Sequence, residues 1–154
     1  MTVPRTLSEV RSFVTARGFH PSRARGQNFL VDANILEILL ATADVGRGDT
    51  VLEVGPGLGV LTAALLERGA AVVAIEKDRT LAGFLEERIP GGARLTLHVC
   101  DALDVDLPGL LETAGITAVA ANLPYQAGSR ILVELAGAPA APPRMAVTVQ
   151  REVA

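Results

Sequence analysis

The chain has 154 residues, of which 49% are hydrophobic, 20% charged and 3% aromatic, and its formal net charge is −3. That is one domain or most of one, apolar enough to exclude wholesale disorder, with a core to be built from Ala, Val, Leu and Ile. No run of about 18 uncharged apolar residues exists for a membrane helix, Arg5, Glu9, Arg11 and Arg17 interrupt any secretory signal core, and the single Cys100 excludes an internal disulfide, so a cytoplasmic protein is expected.

In chain order, residues 1–27 form a basic N-terminal arm or helix, with Arg5, Arg11, Arg17, Arg23 and Arg25 against the single acid Glu9. Such a segment either faces phosphates or is a solvated terminus. Within it "SEVRSFVTAR" (8–17) predicts a helix, with Ser8 as cap and Gly18 as stop. "DANILEILLATADV" (32–45) predicts a second, with Asp32 as N-cap. "TVLEVG" (50–55) reads as a buried strand, "GVLTAALLERG" (59–69) as a helix closed by Gly69, "AVVAIE" (71–76) as a strand and "DRTLAGFLEERI" (78–89) as a helix. "RLTLHV" (94–99), "TAVAAN" (117–122) and "RMAVTVQ" (144–150) are further strands, with a short helix at 108–115 and another in "SRILVELAG" (129–137). "GAPAAPP" (137–143) is a loop, because its prolines cannot sit inside a helix or a central strand.

Apolar strands alternating with helices predict an α/β fold, a mostly parallel sheet covered by helices on both faces. Ligands of such sheets sit beyond the carboxyl ends of the strands, where the strand order reverses. The residues to read are therefore Gly55, Glu76, Asp101 and Asn122.

Gly55, Gly57 and Gly59 permit a tight turn and a close backbone approach. Their G-P-G-L-G spacing is neither the dinucleotide fingerprint nor a P-loop, so it favours a turn against which an adenosine lies flat over a pyrophosphate cradle. A purely structural turn is the other reading. Glu76 follows at the distance, about 20 residues, where a carboxylate accepts hydrogen bonds from ribose hydroxyls. Asp101 either accepts from an adenine amino group or caps the next turn, and both roles are compatible. Cys100 reads as a small core residue, His98 as structural and His20 as solvated, and no metal site is expected.

"NLPY" (122–125) joins an amide, two backbone carbonyls and the only tyrosine of the chain. An aromatic amine attacking a strong electrophile needs acceptors for its two N–H groups, so that its lone pair faces the electrophile. The Asn122 oxygen and the Leu123 or Pro124 carbonyl can supply them, and Tyr125 can stack on the base and attract a nearby cation. The chemistry would then rest on positioning and electrostatics. A proline turn with tyrosine as a lid is the alternative.

"GQNFLVD" (26–32), "VLEVGPGLGVLT" (51–62), "AIEKD" (74–78), "CDAL" (100–103), "NLPY" and "VQREVA" (149–154) together resemble the ribosomal RNA adenine dimethyltransferases. The resemblance implies a Rossmann-like methyltransferase domain over 28–154, S-adenosylmethionine as cofactor, and dimethylation of adenine N6 in small-subunit rRNA of the immature small ribosomal subunit by a monomer. It implies cofactor contacts at Asn28, Leu30, Gly55, Gly57, Glu76, Asp101 and Asn122, a target-adenine site at Asn122, Leu123, Pro124 and Tyr125, and RNA contacts from Arg17, Arg23 and Arg25. Two departures stand out. Family members usually continue after "NLPY" with Asn-Ile-Ser-Thr-Pro, where this chain has Gln126-Ala127-Gly128-Ser129-Arg130. They also continue past the equivalent of Ala154 into further strands and a helical C-terminal domain, so this fragment alone is expected to be weak or inactive. A methyltransferase for small molecules or proteins and a non-catalytic nucleic-acid-binding relative are the competing readings.

Overall fold

The computed structural model describes residues 3–4, 6–20, 29–30, 32–89, 92–123 and 126–149. Among them, helices and strands alternate as α1 (Leu7–Ala16), α2 (Ala33–Ala43), β1 (Thr50–Val54), α3 (Val60–Glu67), β2 (Ala71–Glu76), α4 (Arg79–Arg88), β3 (Leu95–Val99), α5 (Leu107–Thr113), β4 (Ala118–Asn122), α6 (Gly128–Ala136) and β5 (Arg144–Thr148). Every element expected from the sequence is present. Two short 3-10 turns, Gly92–Arg94 and Ala102–Asp104, add to them. Both are single turns, too short for hydrophobic periodicity to mark.

The five strands lie in the order β3-β2-β1-β4-β5, and all pairings are parallel. β1 is central: Thr50 to Val54 pair with Ala71 to Ile75 of β2 on one side, and Val51 and Leu52 pair with Ala118 and Val119 of β4 on the other. The order reverses between β1 and β4. A parallel sheet puts all its carboxyl ends on one edge, so the reversal opens a crevice there.

Alternate strand residues feed two cores. Val51, Val72, Ala74, Ala118 and Ala120 pack with Leu39, Leu40, Leu61 and Leu65 of α2 and α3. Leu52, Val54, Val73, Ile75, Val119 and Ala121 pack with Leu107, Leu111, Ile131 and Leu135 of α5 and α6. The alanine-rich β4 has both faces buried, which explains its near-continuous apolar sequence. At the opposite, amino-terminal edge, Asp49 accepts from the Thr117 hydroxyl at 2.7 Å and is ion-paired with Arg144, which ties β1 to β4 and β5.

The helix ends follow side-chain chemistry. Asp32 caps α2 by accepting from the Asn34 and Ile35 N–H groups at 2.8 and 3.3 Å, and Asp78 caps α4 in the same way. At α1 the expected cap is corrected. Thr6, not Ser8, is the N-cap: its hydroxyl accepts from the Glu9 N–H at 3.2 Å while the Glu9 carboxylate accepts from the Thr6 N–H at 2.8 Å. This reciprocal capping box satisfies two end donors at once, so it outcompetes a lone serine one residue inside the helix.

α1 is docked through aromatic contacts. Phe13 lies 4.2 Å, centroid to centroid, from Phe84 of α4. Val10, Phe19, Leu58, Leu81 and Phe84 form a third buried cluster that reaches Phe29 at the crevice. Among the described residues no helix is long and apolar enough to cross a membrane.

Candidate active site

The crevice at the strand reversal is a cleft of about 450 Å³, within the range of small-molecule sites. The four strand-end residues expected from the sequence, Gly55, Glu76, Asp101 and Asn122, all line it, as do Leu30 and Gly57.

The glycine turn follows β1 with φ of 70°, 58° and 78° at Gly55, Gly57 and Gly59, backbone that L side chains adopt only under strain. At two of these positions a side chain would also press on a neighbour. A Cβ on Gly59 would meet Ile89 Cδ1 at 2.5 Å and Leu85 Cδ2 at 2.6 Å, and one on Gly57 would meet the Phe29 ring at 3.1 Å. Gly59 therefore lets α3 start against α4. Gly57 keeps the turn open where Phe29 closes the cleft wall.

Glu76 braces this turn from β2. One carboxylate oxygen accepts from the Gly57 N–H at 3.1 Å and the other from the Asp78 N–H at 2.9 Å. The side chain is 5% exposed. Burial pushes its carboxyl above the usual range, and the two backbone N–H groups work against that shift. A carboxylate oxygen has more than one acceptor direction, so Glu76 can brace the turn and still receive hydroxyls from a ligand.

Glu53, in the middle of "VLEVG", reads from the sequence as part of a buried strand and not as a site residue. The structure makes it a cleft residue that is 2% exposed. It accepts from the Thr62 hydroxyl of α3 at 2.7 Å. Burial, with the like charge of Glu76 adding to it, pushes its carboxyl up to about 8. The one signal in the sequence is a carboxylate inside an otherwise apolar central strand, a costly placement without a partner.

Asp101 accepts from the Leu103 N–H at 3.0 Å and caps the 3-10 turn while facing the cleft, so the capping role read from the sequence holds. Desolvation, together with Asp101 and Asp104, raises the Cys100 thiol, which fits a packing residue and not a nucleophile. At the end of β4, Asn122 accepts from the Thr148 hydroxyl of β5 at 2.6 Å, and the Leu123 N–H donates to the Thr148 carbonyl at 3.1 Å. The Leu123 side chain is buried in the core under α6, which leaves its backbone to serve a site. Sequence reading misses Thr148, because only strand register brings it opposite Asn122.

One guanidinium nitrogen of Arg17, Nη2, donates to both Glu87 carboxylate oxygens at 2.9 and 2.8 Å, and the guanidinium lies 5.7 Å from the Phe13 ring centroid. Asn28, Arg23, Arg25, Pro124 and Tyr125 lie outside the described residues.

The chain is similar to proteins that share this architecture. It is 43% identical over 155 residues to the ribosomal RNA small subunit methyltransferase A of Opitutus terrae, covering 99% of this chain and 56% of that one. A crystal structure of a dimethyladenosine transferase from Plasmodium falciparum superposes with a TM-score of 0.69 at 25% identity, covering 81% of this chain and 44% of that one. The structure of the 23S rRNA methyltransferase ErmE does so with 0.63 at 28%, covering 81% and 49%. The chain spans about half the length of the curated relatives it matches. The family model described as ribosomal RNA adenine dimethylase matches residues 19–154, and the chain belongs to that family.

Proposed function

We propose that this chain is the cofactor-binding and base-positioning part of an S-adenosylmethionine-dependent enzyme that dimethylates adenine N6 in small-subunit rRNA. The observation that carries the reading is the convergence of Gly55, Glu76, Asp101 and Asn122 on one cleft at the strand reversal, in a member of this family. We further propose that it acts in the cytoplasm, as a monomer, on the immature small subunit.

The donor set fits the cofactor. A glycine turn with no Cβ offers a flat wall. Glu76 can accept ribose hydroxyls, Asp101 can accept an adenine amino group, and the acidic lining suits a ligand that carries positive charge. When bound, the cofactor supplies an electrophilic methyl group on a sulfonium. The protein's part is orientation. The Asn122 amide oxygen and the Leu123 and Pro124 carbonyls accept the amine N–H groups and turn its lone pair outward, and Tyr125 stacks on the base. Held this way, the amine would attack while still neutral, with its lone pair turned out of the ring, and the proton that the methylated nitrogen then sheds would pass to solvent.

Calorimetric titration of the wild type and Glu76→Ala with S-adenosylmethionine tests the cofactor site. Affinity should fall at least tenfold in the variant, and equal affinities would refute the assignment. Tyr125→Ala should lower methyl transfer to undermethylated small subunits while leaving cofactor affinity nearly intact. A parallel loss of cofactor binding would move Tyr125 out of the base site.

A further inference from the structure

We propose that Glu53 is the cleft's charge-sensing residue: it stands as a neutral carboxylic acid in the ligand-free protein and gives up its proton when a cationic ligand enters. The inference rests on the cofactor reading above and deepens it.

The geometry sets two acidic side chains in one cleft under unequal conditions. Glu76 receives two backbone N–H groups, one on each oxygen, an arrangement that supports an ionised carboxylate. Glu53 receives the hydroxyl and the backbone N–H of Thr62, which favour its ionised form, but burial outweighs them and the like charge of Glu76 adds to it. Two buried carboxylates sharing a site do not both ionise readily. Among the described residues the other charged groups on the cleft are Lys77, Asp78, Arg79 and Asp101. Lys77 acts on Glu76, lowering it, while burial, Thr62 and Glu76 are what act on Glu53 among the described residues. A cation brought by the ligand would supply the compensating charge that no described residue gives Glu53. Once a cation arrives, the Glu53 O–H bond breaks, the proton leaves to solvent, and the carboxylate pairs with the ligand. The carboxylate in β1 then makes the cleft discriminate between cationic and neutral adenosine ligands, a task that Glu76 and Asp101, which read hydroxyls and the base, do not perform.

The test counts protons. The wild type and Glu53→Gln, which keeps the side-chain volume and an acceptor for Thr62, are titrated calorimetrically at pH 7 with S-adenosylmethionine and with adenosine, in buffers of different ionisation enthalpy. S-adenosylmethionine should release nearly one more proton from the wild type than from Glu53→Gln, and adenosine should show no such difference. Equal proton counts for the two proteins, or the same release with adenosine, overturn the proposal. Should Glu53→Gln fail to fold, the wild type alone decides. The affinity ratio of S-adenosylmethionine to adenosine should rise by up to about tenfold per pH unit between pH 5.5 and 7, and a flat ratio overturns the proposal. A wild type that binds adenosine but shows no heat with S-adenosylmethionine refutes the cofactor reading itself, and this inference with it.

Discussion

The Thr148 hydroxyl donates to the Asn122 amide oxygen at 2.6 Å, across the register pair that closes the β4–β5 ladder. The same residue's carbonyl accepts the Leu123 N–H. Thr148 thus holds two consecutive residues of the strand end, fixing the plane of the amide and the path of the backbone that follows. In the proposed mechanism Asn122 must present its oxygen to an amine, so Thr148 is a positioning residue. Thr148→Val keeps the shape and removes the donor. Losing one such hydrogen bond is worth about 1 kcal/mol, or roughly fivefold, and a misaligned amide adds to that. Methyl-transfer rate should fall about tenfold while the melting temperature drops by only about 2–4 °C, and Thr148→Ser should restore both. An equal loss in the serine variant would mean that packing, not the hydroxyl, matters.

The order of elements is legible because the inner strands are short apolar runs set between helices with recognisable caps or glycine stops. The cleft residues are legible because a parallel sheet gathers its strand ends on one edge. Glu53 and Thr148 are not. Glu53 sits inside a strand whose neighbours are all buried, and its place on the cleft depends on the turn that follows. Thr148 meets Asn122 only through the pairing of strands 26 residues apart. The Thr6 cap is hidden for a different reason: both Thr6 and Ser8 are acceptable caps, and the geometry of Glu9 decides between them.

Gly59 should be intolerant of any side chain. Its φ of +78° disfavours L residues, and a Cβ would press on Ile89 and Leu85 at 2.5 and 2.6 Å. Gly59→Ala combines backbone strain with overpacking and should cost about 2–4 kcal/mol, read as a lowered urea midpoint with an unchanged slope. Gly46→Ala is the control, since a Cβ there would meet nothing within 4 Å and the backbone φ is ordinary. A Gly59→Ala midpoint equal to that control would show that α4 yields freely.

Arg17 is expected to touch RNA, yet in the free chain its Nη2 donates to both oxygens of Glu87. RNA phosphate and the Glu87 carboxylate would then compete for one guanidinium. Glu87→Gln should raise affinity for a small-subunit rRNA fragment two- to threefold at low salt, and Arg17→Ala should lower it. The double variant should match Arg17→Ala. Both gains and losses should shrink as salt rises, because phosphate contacts release counterions. An unchanged affinity in Arg17→Ala, measured by filter binding at two salt concentrations, would remove Arg17 from the interface.

The stability of the protein should carry the signature of Glu53. Its carboxyl, ordinarily near 4.5, is pushed up to about 8 by burial and by Glu76. A raised folded-state value means that folding favours the neutral acid. The contribution is fully present below about pH 4.5 and is lost as pH rises through about 8. For one proton the slope is at most about 1.4 kcal/mol per pH unit. Glu53→Gln cannot ionise, so it should match the wild type near pH 4 and exceed it by a few kcal/mol near pH 9. Urea midpoints at the two pH values read the difference directly. A wild type that gains on the variant as pH rises would show instead that the folded protein stabilises the Glu53 carboxylate, and that the charge of Glu76 is compensated before it reaches β1.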